Sequence, residues 1–170
     1  AIGYIPQDGY LFSGTIRENI AFSSNDKDEE RIIKAAKQAN ILEEITNFKG
    51  GFDTIIGERG VQLSGGQRQR LAIARTFYKN PDLYIFDDCL SAIDANKEQE
   101  ILAELKKESK GKTSIIISHR VSTLKDTDQI IVLENGKITE IGSHNELLGN
   151  KGFYSQMHQI QSNKDKKTDS

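Results

Sequence analysis

The chain has 170 residues, 36% hydrophobic and 28% charged, with a formal net charge of −2. That balance excludes a disordered polar segment and leaves enough apolar material for one domain with a core. The near-zero charge excludes a strong global field for nucleic acid or anionic lipid, and no apolar run approaches the ~20 residues that span a bilayer.

The chain opens at Ala1, without an initiator Met and almost inside a strand, as expected of a truncated domain. Ile2 to Ile5 predicts a short strand stopped by Pro6, and Gln7-Asp8-Gly9 a loop. Thr15 to Phe22 has a short helical pattern, and Ser23-Ser24-Asn25-Asp26 is a polar break. Asp28 to Ala39 predicts a helix: Asp28, Glu29 and Glu30 suit its positive end, and Ile32, Ala35, Ala36 and Ala39 share one face. Ile41 to Ile45 predicts another short helix, followed by a glycine-punctuated section through Gly50, Gly51, Gly57 and Gly60.

Ser64 to Tyr78 is a helix opened by a capping-box pair, Ser64 and Gln67. Its arginines, Arg68, Arg70 and Arg75, read as a solvated or salt-bridged face. Leu83 to Phe86 and Ser114 to Ile117 predict two buried strands, separated by a helix from Asp94 to Lys107. Gln129 to Leu133 and Lys137 to Ile141 flank Asn135-Gly136, a hairpin signal. Ser143 to Leu148 and Phe153 to Ile160 predict terminal helices, with a polar end from Gln161 to Ser170 expected to fray. Strand–helix alternation after residue 80 argues α/β with a partly parallel sheet, interrupted by a mostly helical section from Asp8 to Tyr78. Cys89 is the single cysteine, so no internal disulfide forms, and it reads as a small buried hydrophobe.

Two groups of residues point to chemistry. The strand Leu83 to Phe86 delivers Asp87 and Asp88 at its carboxyl end, where open α/β sheets gather ligands. A carboxylate there suits Mg²⁺ and its neighbour an attacking water; by itself Asp-Asp after a strand also reads as a turn or helix start. In Leu63-Ser64-Gly65-Gly66-Gln67, two glycines at a helix start leave backbone N–H groups uncovered, and the dipole and Ser64 hydroxyl complete an anion site. An ordinary cap does not require two adjacent glycines, each of which weakens a helix by about 1 kcal/mol.

The segment Leu63 to Gln67 is similar to the signature motif of ABC ATPases, upstream of an Asp87 strand that matches Walker B. Gln7 matches the Q-loop glutamine, Ser91-Ala92-Ile93-Asp94 resembles the D-loop, and His119 matches the switch histidine. Gly57-Glu58-Arg59-Gly60, Leu11 to Ile20 and Gly142 to Tyr154 resemble segments of exporter cassettes. The resemblance implies the C-terminal part of an exporter's ATP-binding cassette. Its fold would be an incomplete P-loop NTPase, RecA-like core with an inserted α-helical subdomain. The implied divisions are core strand and Q-loop start at 1–7, helical subdomain at 8–78, core at 79–150, and terminal helix with frayed tail at 151–170.

By resemblance, Asp88 and His119 are catalytic, serving the water and the γ-phosphate. Asp87 and Gln7 serve Mg²⁺, while Gln7, Leu63, Ser64, Gly65, Gly66, Gln67 and Asp94 contact ATP. The implied partners are an exporter's transmembrane domain and a second cassette, with no nucleic acid, at the cytoplasmic face of the cell membrane. The phosphate-cradling G-x-x-x-x-G-K-[ST] does not occur in the chain. Gly111-Lys112-Thr113 has its ending, but Lys106 stands where the first glycine belongs. The isolated chain is therefore expected neither to bind ATP tightly nor to hydrolyse it, and exposed sheet edges should make it poorly soluble. Asp88 stands where active members carry glutamate, as in the weakened cassette of heterodimeric exporters, so a heterodimer is favoured. The alternatives are a soluble ABC-type ATPase of DNA repair or translation, and a non-catalytic interaction module. The cargo is not encoded in this stretch.

Overall fold

The computed structural model describes residues 1–22, 24, 28–57 and 60–168. The chain divides into two compact units, Ala1–Ile117 and Ser118–Ser170.

The first unit contains β1 (Ile2–Ile5), β2 (Gly14–Thr15), α1 (Ile16–Ile20), α2 (Glu29–Gln38), α3 (Leu42–Asn47), a 3₁₀ turn (Gly51–Asp53), β3 (Ile55–Ile56), α4 (Gly65–Lys79), β4 (Leu83–Asp87), α5 (Ala95–Glu108) and β5 (Thr113–Ile117). Its main sheet is parallel, in the order β1-β4-β5, with Ile5 opposite Phe86 and Asp87 opposite Ile117. One face carries Ile5, Tyr84 and Phe86, which join Leu71 and Ile73 of α4 and Ile101 and Leu105 of α5 in one core. Each such large apolar side chain contributes about 1.5–3 kcal/mol through burial. Glycine at position 3 is required by a close approach: a Cβ there would meet Pro81 and Thr76 at 2.6 Å.

The opposite face exposes Ile2, Tyr4, Ile115 and Ile117. This corrects the expectation of a buried strand at Ser114 to Ile117. That strand is the sheet's edge, and α4 and α5 cover only one side, so an unbroken apolar run did not translate into burial on both faces.

Capping residues set the helix starts. Thr15, Ser64 and, in the second unit, Ser143 each accept a bond from the N–H three residues on, and Glu18, Gln67 and Glu146 return one. Asp28 and Asp94 cap α2 and α5. α2 buries Ile32, Ala35 and Ala36, with Ala39 at its end. Asn80 ends α4 in the left-handed region at φ 48°. Most of the polar break at 23–26 lies outside the described residues, as do Glu58 and Arg59. The short pair β2–β3 escaped the sequence reading because two-residue strands leave no period to detect.

The second unit contains α6 (Val121–Leu124), β6 (Ile130–Glu134), β7 (Lys137–Gly142), α7 (His144–Gly149) and α8 (Phe153–Thr168). β6 and β7 form an antiparallel hairpin whose turn residues, Asn135 and Gly136, both have positive φ, 52° and 75°. Val121, Ile130, Val132, Leu147 and Tyr154 form its core. α8 continues to Thr168, against the expectation that Gln161 onward frays. No Gly or Pro interrupts that stretch, and the Gln161 side chain accepts from Val121 N at 2.8 Å and donates to His119 O at 2.8 Å. Asp169 and Ser170 lie outside the described residues.

Among the described residues no helix is long and apolar enough to cross a membrane.

Candidate functional site

Strand β4 alternates its side chains, which sends Asp87 to the open face of the sheet, away from Phe86. Parallel pairing brings β1 alongside, and the Tyr4 hydroxyl donates to Asp87 Oδ2 at 2.8 Å. That bond to the carboxylate holds the Tyr4 phenol above its ordinary pKa. Asp88 follows with φ 46°, a left-handed conformation that aspartate tolerates better than most residues. Its N–H donates to Ile117 O at 2.9 Å and its carbonyl accepts from the Ser91 hydroxyl at 3.0 Å. Gln7, in the loop after β1, donates from Nε2 to Asp88 Oδ2 at 3.4 Å. The structure thus brings Gln7, Asp87 and Asp88 together at the carboxyl end of the sheet, where loops rather than packed side chains surround them.

Next to them Cys89 is fully buried, and burial pushes its thiol up to about 12. It is the inert apolar residue that the sequence suggests.

Ser64, Gly65, Gly66 and Gln67 open α4. The Ser64 hydroxyl accepts from Gln67 N at 3.2 Å, and Gln67 Oε1 accepts from Ser64 N at 2.9 Å. Among the described residues nothing bonds the N–H groups of Gly65 and Gly66. They border a cleft of about 450 Å³ shared with Arg70, Ala92, Ile93 and Asp94. Leu63 is buried beside it, and its carbonyl accepts from Arg68 Nη1 at 2.7 Å. Asp94 uses Oδ1 to cap α5, accepting from Lys97 N at 3.0 Å. Gly66 lies against the segment before Asp94: a Cβ there would stand 3.0 Å from Ala92 O.

Behind the glycines lies a network that sequence reading missed. Arg70 is only 5% exposed. It donates to Gly66 O at 3.2 Å, to Asn40 O at 3.0 Å and to Glu44 at 2.9 Å. Glu44 also accepts from Gln67 Nε2 at 3.0 Å and pairs with Lys97 Nζ at 2.9 Å. Burial pushes the Glu44 carboxyl upward, but the bonds from Lys97, Gln67 and Arg70 prevail and hold it below the ordinary range. Of the arginines expected on a solvated or salt-bridged face, Arg70 is salt-bridged to Glu44, whereas Arg75 departs from both: it bonds Asn19 and Tyr10 O and lies over the Phe12 ring at 5.0 Å, and burial lowers its pKa. No sequence signal reveals most of these partners, because they come from α1, α3, α5 and the loops around Tyr10, Phe12 and Asn40.

His119 belongs to the second unit, exposed between β5 and α6, with its carbonyl held by Gln161. Gly111 and Lys112 form a turn into β5, so the Lys-Thr pair feeds a strand and not a helix.

The donor set near Asp87 is all oxygen, which suits Mg²⁺. Among the described residues no cluster of three His, Cys, Asp or Glu forms a metal site. One carboxylate and one amide fit an ion that takes its remaining ligands from water and phosphate.

Residues 1–91 match the ABC transporter family. The chain is 49% identical over 160 residues to the ABC transporter ATP-binding protein YwjA of Bacillus subtilis (strain 168), covering 94% of this chain and 28% of that protein. It is 49% identical over 163 residues to the leukotoxin translocation ATP-binding protein LktB of a Pasteurella haemolytica-like species, covering 95% and 23%. A solved bacterial Atm1-family ABC exporter with ATP bound superposes with a TM-score of 0.90 at 44% identity, over 95% of this chain and 29% of that one. The chain thus spans about a quarter of the length of these relatives. Its mixed α/β fold, its parallel sheet ending in Asp87 and Asp88, and these matches lead to one assignment: the chain belongs to the ABC transporter family.

Proposed function

We propose that this chain is part of the ATP-binding cassette of an exporter, and that it serves two nucleotide sites at once. The observation that carries the reading is the pair of unpartnered amides at Gly65 and Gly66, opening on a cleft whose far wall is the Asp94 segment. Helix-terminal amides with nothing to satisfy them, backed by the helix dipole, suit a terminal phosphate. A nucleotide held by an opposing cassette is the ligand this reading supplies, with Leu63, Ser64 and Gln67 shaping the contact and Asp94 linking the two sites. The leukotoxin translocation function of LktB and the export function of the Atm1-family structure support the exporter reading.

At the chain's own site, Asp87 would hold Mg²⁺, which when bound would neutralise phosphate charge. Gln7 would contact that metal or the attacking water, and Asp88 would orient the water. His119, in the second unit, is proposed separately as an imidazole donor to a γ-phosphate. The helical section 8–78 acts as a subdomain beside the RecA-like core of 79–150. Residues 1–7 supply a strand and the start of the Gln7 loop to that core, and residues 151–170 hold a terminal helix. The partners are a transmembrane domain and a second cassette at the cytoplasmic face of a membrane. With no G-x-x-x-x-G-K-[ST] among its 170 residues, the chain by itself binds ATP weakly and does not turn it over.

Asp88 is one methylene shorter than glutamate, and misplacing a reacting group by about 1 Å costs on the order of 10²-fold in rate. The parent subunit is therefore the weaker half of a heterodimer. Its ATP turnover, measured without and with its partner cassette, tests this. Turnover that is slow alone, rises with the partner and increases on Asp88→Glu is the expected result. Brisk turnover alone, unchanged by Asp88→Glu, overturns the heterodimer.

A further inference from the structure

We infer that Gln69 is a positioning residue that ties the Gln7 loop to the Ala92 segment through helix α4; this rests on the function proposed above. Gln69 is 6% exposed, and both ends of its amide are used. Nε2 donates to the Gln7 carbonyl at 3.0 Å, and Oε1 accepts from Ala92 N at 3.3 Å. A single planar amide therefore spans two loops far apart in the sequence, one carrying Gln7 and the other leading to Asp94.

Two glycines show independently that both loops are pressed onto this turn of α4. A Cβ at Gly9 would stand 2.8 Å from the Arg68 carbonyl carbon and oxygen and from Gln69 N. A Cβ at Gly66, one turn before Gln69, would stand 3.0 Å from Ala92 O. Neither loop can slide along the helix while these contacts hold, and the Gln69 amide is the polar link between them. A buried amide deprived of one partner leaves an unsatisfied group, so the link favours both loops in place together.

The function follows from what each loop carries. Gln7 bonds Asp88, and Ala92 borders the cleft of the signature glycines. A shift of the Ala92 segment, caused by nucleotide in that cleft, pulls on Gln69 and through it on the Gln7 backbone. Gln69 touches neither nucleotide; it sets where the Gln7 side chain stands.

The test is a double-mutant cycle in the complete exporter subunit assembled with its partner, reading kcat and KM for ATP. Gln69→Leu keeps the size and removes both bonds. It is expected to lower kcat roughly 10- to 100-fold with little change in KM, as a small misplacement does. Gln7→Ala is expected to lower kcat as well. If Gln69 acts through Gln7, adding Gln69→Leu to Gln7→Ala lowers kcat no further. Equal and additive losses, or no loss from Gln69→Leu, overturn the inference while leaving the site reading intact. No loss from Gln7→Ala overturns the site reading and the inference with it. Should the melting temperature of Gln69→Leu fall by more than a few degrees, Gln69→Glu enters the same cycle. It keeps the acceptor for Ala92 N and loses the donor to Gln7, and the same outcomes decide.

Discussion

Side-chain surroundings, more than residue type, decide what the acidic and thiol groups near the end of β4 do. Asp87 and Asp88 are adjacent, yet one is turned to the open face by strand alternation and the other is turned by a left-handed backbone. Cys89 follows them and is sealed in the core, its thiol pushed up to about 12 by burial. The raised thiol value means that Cys89 contributes stability in full below its unfolded value of about 9. That contribution fades as pH climbs through 9 toward 12, because only the unfolded chain then ionises. Native protein at pH 8 should leave this thiol unmodified by iodoacetamide, with labelling appearing only in denaturant. Rapid labelling of folded protein would show that the thiol is not enclosed. At this scale the place of the carboxylate pair at a strand end was legible in the sequence, although Asp-Asp after a strand by itself also reads as a turn or helix start. The Tyr4 bond to Asp87 was not, because it depends on which strand lies beside β4 and in which register.

Helix starts were the most legible elements. Ser64 with Gln67 forms the capping box its spacing announces, and Asp28 and Asp94 cap the helices they precede. The support behind α4 was not legible, because Glu44, Arg70 and Lys97 come from three helices with no fixed spacing. The Glu44 carboxyl lies below its unfolded value, so it stabilises the fold above pH 4.5 and loses that contribution as pH falls through its folded value. Glu44→Gln keeps the shape and removes the charge, leaving buried Arg70 without its carboxylate. A loss of about 1–3 kcal/mol at pH 7 is expected in urea unfolding, with a flatter decline in acid. An unchanged midpoint and an unchanged acid limb would mean that the network is incidental. The reading of β5 as a buried strand failed for a related reason: an apolar run reports that a strand can be buried, not whether an element covers each of its faces.

Across the molecule, the sequence-order motifs converge on one unit. The Gln7 loop, the α4 start, the end of β4 and the Asp94 segment all lie within Ala1–Ile117, packed around α4. His119 belongs to the second unit, which has its own core of Val121, Ile130, Val132, Leu147 and Tyr154. The open sheet face, with Ile2, Ile115 and Ile117 exposed, leaves an apolar surface that invites self-association. The chain alone should therefore elute from a sizing column above its 19.0 kDa mass, and elution as a clean monomer at high concentration would contradict this. The bare amides of Gly65 and Gly66 are tested most directly by Gly65→Asp, because a Cβ at Gly65 meets nothing nearer than 3.9 Å. In the assembled exporter, that substitution places a carboxylate where a partner's terminal phosphate is proposed to sit. ATP turnover should fall by about 10²-fold or more while ATP binding to each cassette alone stays near its original strength. Turnover as fast as in the unaltered protein would contradict the claim that these amides meet a nucleotide.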